Sequence, residues 1–207
     1  MPVTSVNSSA TGGPLAPTSA APPDDLDLDV ILQVVLASLT GLPRANVLPR
    51  WQETQPRIPD VGQNWIAVGV TEEAPFDTPA LIHNGAGDGS STLRGTSRLE
   101  VLASFYGPKS NGYARLVADM LWIGQNREFL FRNGLALQNI GTLRRIPEIL
   151  AMQARRRTDL PITLTRVYDR TLPILNVTQA VGTITATGIG AETPSIAVEP
   201  FAIPETP

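Results

Sequence analysis

The stretch from Arg94 to Gln125 restricts what this chain can fold into more than any other. Between Leu93 and Tyr106 the side chains alternate. Leu93, Gly95, Ser97, Leu99, Val101, Ala103 and Phe105 fall on one side; Arg94, Thr96, Arg98, Glu100 and Ser104 fall on the other. A period of two is that of a strand with one face against a core. Gly107-Pro108 breaks the pattern, and Ser110 is placed to cap a helix. Tyr113, Leu116, Val117, Met120, Leu121 and Gly124 then recur at helical spacing, which predicts one apolar stripe on a helix reaching Gln125. Trp122 is off that stripe. At roughly 100° per residue it falls opposite Tyr113, on the face bearing Arg115, Asp119 and Asn126. Such a face either packs within the domain or meets another subunit, because Trp and Arg are enriched in interface cores.

A chain of 207 residues fits one domain with tails. Val30 to Leu39 is too short to cross a bilayer and contains Gln33 and Ser38, so a membrane protein is not expected. The N-terminus lacks the basic residues and apolar core of a secretion signal. With no cysteine there is neither a disulfide framework nor a thiolate metal site. The Asn-x-Ser/Thr matches at Asn7 and Asn176 then read as chance.

Charge is segregated along the chain. Residues 1–40 carry four Asp and no Lys or Arg, and residues 171–207 carry three Glu and no base. Arg94 through Arg170 hold thirteen bases against six acids, and all the bases except Lys109 are Arg. A basic middle between acidic ends suits nucleic-acid contact. It equally suits subunits that meet through unlike patches, as a head-to-tail ring requires, and Arg favours bidentate interface pairing.

Taken in order, Met1 to Pro23 has almost nothing to bury and reads as a disordered or extended arm. Asp24 to Leu39 is predicted as a helix, with acids at the dipole's positive end and Ile31, Val34, Val35, Leu36 and Leu39 on the apolar side; Gly41 and Pro43 stop it. Asp25-x-Asp27-x-Asp29 resembles the start of a calcium loop, but Val30 and Leu36 stand where that loop needs Gly and Glu. A helix start is the better reading. Asn46 to Trp51 is a short strand, followed by a loop with Pro56 and Pro59. Asn64 to Thr71 is apolar on both sides, as a strand buried on both faces would be. Glu72 to Ser91 reads as a long polar connection ending in a glycine-rich hairpin tip; no Gly-Lys-Ser/Thr follows, so a phosphate cradle is not supported.

Beyond the central helix, Arg127 to Asn133 is its fraying end or a further turn, and Leu135 to Thr142 a strand or edge segment. Arg144-Arg145 and Arg155-Arg156-Arg157 are the densest basic spots. No aromatics interleave them to stack bases, so they read as a solvated or subunit-facing patch. Asp159 to Tyr168 is a strand; Leu172 to Val177 and Val181 to Thr187 make a last strand or broken pair; from Gly188 the chain is a polar, Pro-rich tail. Helices on one face of a mainly antiparallel sheet, an α+β fold, is the arrangement this order predicts. It divides as arm (1–23), domain (24–187) and extended tail (188–207).

Chemistry is sparse. His83 is the only histidine; with no cysteine beside it, a usual zinc site is not available. No nucleophile signature accompanies it. The carboxylates stand singly, apart from Glu72-Glu73, whose side chains would point to opposite faces of a strand. No enzyme, metal or cofactor is expected.

Several pieces together resemble a known family. The first helix, the short strand with Trp51-Gln52, the Pro56 and Pro59 loop, and the strand Trp65-Ile66-Ala67-Val68-Gly69-Val70 are similar to the first half of bacteriophage neck or tail terminator proteins. Leu99 to Pro108, ending in Phe105-Tyr106-Gly107-Pro108 and running into a helix with Ala114, Leu116 and Leu121, resembles that family's central strand and helix. Arg155 to Asp159, leading into Ile162 to Tyr168 and Ile174 to Val177, resembles its closing strands, so the likeness covers residues 26–187.

This resemblance implies a compact α+β subunit in the virion, assembled in the host cytoplasm as a homohexameric ring that caps the tail tube. The partners it implies are a second copy, the tail tube protein, a neck or head-completion protein, and a sheath protein if the tail is contractile. DNA would pass through the ring without sequence-specific binding, and no membrane would be involved. Trp122, Arg115, Asp119, Arg144, Arg145, Arg155, Arg156 and Arg157 are then candidates for subunit contacts. Another head–tail connector ring, an adaptor or stopper, is the alternative; a DNA-binding module using the basic middle and an enzyme with its site at His83 are further readings.

Overall fold

The computed structural model describes residues 7–52, 54, 58–76, 78–150, 152–177, 181–186 and 197–202. The chain divides into two compact units. One comprises Ser19–Leu81 and Leu93–Arg170; the other comprises Met1–Thr18, Ile82–Thr92 and Thr171–Pro207. In order, the elements are α1 (Asp25–Thr40), a 3-10 turn (Arg44–Asn46), β1 (Val47–Pro49), β2 (Trp65–Pro75), β3 (Ala80–Asn84), β4 (Ser90–Tyr106), α2 (Ser110–Met120), α3 (Gly124–Arg132), β5 (Leu135–Ile140), β6 (Arg144–Leu150), β7 (Gln153–Leu172), β8 (Val181–Ala186) and β9 (Ala197–Ala202).

Seven strands form one mostly antiparallel sheet in the order β1-β2-β4-β7-β5, with β3 also on β4 and β6 also on β7. β1 and β2 pair in parallel. Arg94 faces Asp169, Glu100 faces Thr163, and the Gly107 N–H reaches the Arg156 carbonyl, so β4 and β7 run antiparallel. Each of these two long strands carries two short partners end to end. β2 covers Ser97–Tyr106 of β4; β6 covers Gln153–Asp159 of β7, and β5 covers Ile162–Arg166.

The alternation from Leu93 to Tyr106 sets the core as expected. Leu99, Val101, Ala103 and Phe105 of β4 meet Ile66 and Val68 of β2 and Leu160, Ile162 and Leu164 of β7, all buried. Three helices supply the other side of this core. α1 contributes Leu28, Ile31, Leu32, Val35 and Leu36, a stripe at i, i+3, i+4, i+7 and i+8. It ends where Gly41 takes a left-handed conformation (φ 69°) and donates its N–H to Ala37. The buried Gln33 Nε2 donates to the Val47 carbonyl at 2.7 Å, tying α1 to β1. The fold is α+β.

Several expectations are corrected. The central helix does not reach Gln125: α2 stops at Met120 and α3 starts at Gly124. The buried stripe of α2 is Ser110, Ala114 and Val117, continued by Leu121 after its end, and Leu116 is exposed. Lys109 rather than Ser110 occupies the cap position, without a side-chain cap bond. Asp24 does not cap α1 through its side chain either; that carboxylate accepts from Arg166, which is buried and also reaches Glu73. Glu72 to Ser91 is mostly strand, since β2 extends to Pro75 and β3 pairs with the start of β4. Arg144 to Arg157 is a hairpin. Residues 173–177 form no strand, whereas Ala197–Ala202, within the expected tail, pairs with β8. Pro56, Thr187 and residues 1–6, 188–196 and 203–207 lie outside the described residues.

Gly107, where β4 ends, has φ 102° and a Cβ there would collide with the Gln63 carbonyl and the Asn64 backbone, neither of which can swing away. Gly112 lies in α2 with open space at the Cβ position. Gly107→Ala is expected to destabilise the fold by about 2 kcal/mol or more. Gly112→Ala should stabilise it by about 0.5–1 kcal/mol. Urea unfolding followed by circular dichroism measures both.

Candidate functional site

The β6–β7 hairpin gathers five of the arginines singled out in the sequence. Its register sets Arg144 opposite Asp159, Arg145 opposite Thr158, Ile146 opposite Arg157, Pro147 opposite Arg156 and Glu148 opposite Arg155. Alternation along β7 sends Arg155 and Arg157 to one face and Arg156 to the other. Their fates differ accordingly.

Arg155 is buried, only 4% exposed. Trp65 and Tyr106, paired across β2 and β4, stack with centroids 4.1 Å apart and planes 7° from parallel. The Arg155 guanidinium lies 5.8 Å from the Trp65 ring centroid and 5.7 Å from that of Tyr106, and donates to the Pro59 carbonyl at 3.0 Å. Arg157 sits 5.7 Å from the Tyr106 ring and makes two 2.8 Å bonds to Asp159. That bidentate pair holds the Arg157 pKa above its ordinary value, while burial pushes the Tyr106 phenol up against the opposing pull of Arg157. Both arginines are therefore engaged within the chain. The aromatics that were not seen near the basic run come from strands distant in sequence, and they serve the chain's own guanidinium groups.

Arg144, Arg145 and Arg156 are exposed. Arg145 donates to Asn111 in the first turn of α2 at 3.1 Å; Arg144 and Arg156 hold no ion pair among the described residues. A cleft of about 630 Å³ opens between this hairpin and the start of α2, lined by Ser110, Asn111, Arg145, Pro147, Arg156 and Thr158 among others. Around it the hairpin exposes apolar side chains that the sequence reading did not select: Ile149 is 79% and Met152 98% exposed. The run Ile146-Pro-Glu-Ile-Leu-Ala-Met152 was the available signal.

Trp122 is in the turn between α2 and α3, not on a helix face, and is 55% exposed. Its N–H reaches the Asp119 carbonyl, so it remains beside the exposed Asp119 and Arg115 of α2. Ile123 and Phe131 extend this exposed apolar surface. Among the described contacts nothing joins Trp122, Arg115 or Asp119 to the arginines of the hairpin.

A second cleft, of about 330 Å³, lies at the start of α1 and is lined by Asp24, Asp25, Leu26, Asp29, Trp51 and Glu73 among others. Leu26 and Trp51 are largely exposed. Asp29 is only 7% exposed, yet no hydrogen bond or ion pair of its side chain occurs among the described residues. Burial, and then the Asp25 carboxylate one turn away, raise the Asp29 pKa above 3.8.

His83 is held on both sides. Asn176 Nδ2 donates to the Gly85 and Gly87 carbonyls, leaving its Oδ1 to accept from His83 Nε2 at 2.9 Å; His83 Nδ1 then accepts from the Ser91 hydroxyl at 3.0 Å. The imidazole and Asn176 thus fasten the β3–β4 hairpin tip. Among the described residues no three His, Cys, Asp or Glu side chains converge as a metal site would need.

A raised carboxyl pKa means the folded chain binds a proton that the unfolded chain releases. The associated stability is present below the unfolded value and lost as pH rises through the folded one. Asp29→Asn is therefore expected to raise the melting temperature at pH 7, with the advantage shrinking toward pH 4; calorimetry across that range checks it.

No curated protein matches the chain. A family model described as "Phage neck terminator protein" matches residues 26–189, which takes in α1, the whole sheet and the arginine hairpin. The match covers most of the sequence, and the chain belongs to the phage neck terminator family.

Proposed function

We propose that this chain is a tail terminator which closes the tail tube as a ring at the phage neck and connects it to the head-completion proteins. The family match carries the neck assignment. Support for assembly comes from the hairpin, where Arg144 and Arg156 are exposed with no ion pair among the described residues and Ile149 and Met152 point into solvent. Strand alternation puts Arg145, Ile149 and Arg156 on one exposed face, and a surface of this chemistry is what a partner covers. Arg144, Arg145 and Arg156 form one part of the subunit contact, and Trp122 with Arg115 and Asp119 another. Arg155 and Arg157 act behind the surface, stiffening the hairpin against Trp65 and Tyr106.

In this reading the ring is a homohexamer built in the host cytoplasm, with the tail tube protein on one side and a neck protein on the other, and a sheath protein alongside if the tail contracts. DNA crosses the central opening without sequence-specific contacts. The chain acts by shape, with no catalytic step and no cofactor.

Mixing the purified chain with assembled tail tubes tests this. The expected result, read by electron microscopy and native mass measurement, is a ring of six copies at one tube end and an arrest of tube growth. A persistent monomer that leaves tubes growing overturns it. Density of the chain at the capsid side of the neck, away from the tube, would instead make it an adaptor or stopper. Retention on duplex DNA that falls steeply with salt would mark the hairpin as a phosphate-binding surface.

A further inference from the structure

The two clefts of the larger unit carry opposite charge, and each has an exposed apolar residue at its edge. The hairpin offers Arg145 and Arg156 on the same face as Ile149, with Met152 exposed at its turn. The start of α1 offers Asp25 and Asp27 around Leu26 and Trp51, with Asp29 behind them. We infer that the β6–β7 hairpin of one copy seats in the acidic cleft at the start of α1 of the next copy, an inference that rests on the ring assembly proposed above.

Asp29 is the observation that favours a cationic occupant. Its carboxylate has no partner among the described residues and little exposure, opening only where it lines the cleft, and Asp25 one turn earlier repels it. Asp24 and Glu73, the other acids lining the cleft, share the single positive charge of Arg166, so the cleft keeps a net negative charge. A guanidinium entering from outside would face Asp25 and Asp29 together and satisfy both. The hairpin's exposed guanidinium groups meet that requirement, because Arg145 and Arg156 share one face and have no ion pair of their own among the described residues. Seating Ile149 against Leu26 and Trp51 would bury apolar surface in the same step, which stabilises the contact where exposed charge pairs alone contribute little. The two surfaces are different patches of one chain, so the contact is head-to-tail, the kind that closes a ring.

The test uses the full chain on tail tubes. Arg145→Glu with Arg156→Glu, or Asp25→Arg with Asp27→Arg, should each reduce ring formation at least tenfold. An equimolar mixture of the two variants should restore it, since each hairpin then meets a cleft of opposite charge all the way round. The chain contains no cysteine, so engineered thiols report without background. Leu26→Cys with Ile149→Cys in one chain should give a covalent ladder on oxidation, whereas either change alone should not. This second pair alters only exposed positions and keeps the question open to test if the charge variants fold poorly. Rings that form normally from both charge variants, or rings of the double-cysteine chain that give no ladder, overturn the docking while leaving the terminator reading standing. A parent chain that never forms rings on tubes removes both.

Discussion

β4 and β7 lie side by side in opposite directions, and each turns alternate side chains under the helices. Leu99, Val101 and Phe105 on one strand and Leu160, Ile162 and Leu164 on the other bury about 1.5–3 kcal/mol apiece. This pairing is the constraint on which the remaining elements depend. Because both strands are long, each has room for two short neighbours placed end to end. One pair, β2 with β3, lies along β4, with β1 outside β2; the other, β5 with β6, finishes the opposite edge. α1 closes over the middle and is fixed at its start by Arg166, whose guanidinium reaches Asp24, Glu73 and the Pro23 carbonyl.

The arginines separate into two populations by what surrounds them rather than by where they occur in the sequence. Arg155 and Arg166 are buried and provided with partners, as a desolvated charge must be. Arg155 lies over an aromatic stack, where the ring quadrupoles substitute for part of the lost hydration. Their neighbours Arg144 and Arg156 keep their water. A basic run of five residues is therefore partly skeleton and partly surface, and the two functions share one hairpin.

Strand β4 and helix α1 were legible in the sequence because each buries a single face, and single-face burial writes a clear period. Among the short strands, β1 and β5 were also legible, but β3 and β6 were not. All five residues of β3 are exposed, so no apolar alternation marks it, and β6 contains Pro147, which an edge tolerates. The break between α2 and α3 was hidden because Leu121 and Gly124 fit the helical stripe numerically. Gly124 in fact opens a new helix, consistent with the poor fit of glycine to a helix interior. Among the candidate contact residues, Arg144, Arg145, Arg156 and Trp122 are exposed, as a contact requires. The burial of Arg155 could not be read locally, since it depends on Trp65 and Tyr106 meeting across two strands. Asp29 looked like one more acid favouring a helix start; its isolation emerges only once α1 is folded against the sheet.

Strand length has a mechanical corollary. At 20 residues β7 extends roughly 66 Å, whereas the 16 residues of α1 extend about 24 Å. No helix of that size can shelter such a strand from end to end. The helices shelter Leu160, Ile162 and Leu164; farther along, Arg155 is buried against Trp65 and Tyr106 instead, while Ala154 and Arg156 on its other face are exposed. The mismatch of spans thus leaves one face of the hairpin to be covered by an aromatic pair from β2 and β4, so a contact made at the exposed face rests on a packed guanidinium behind it.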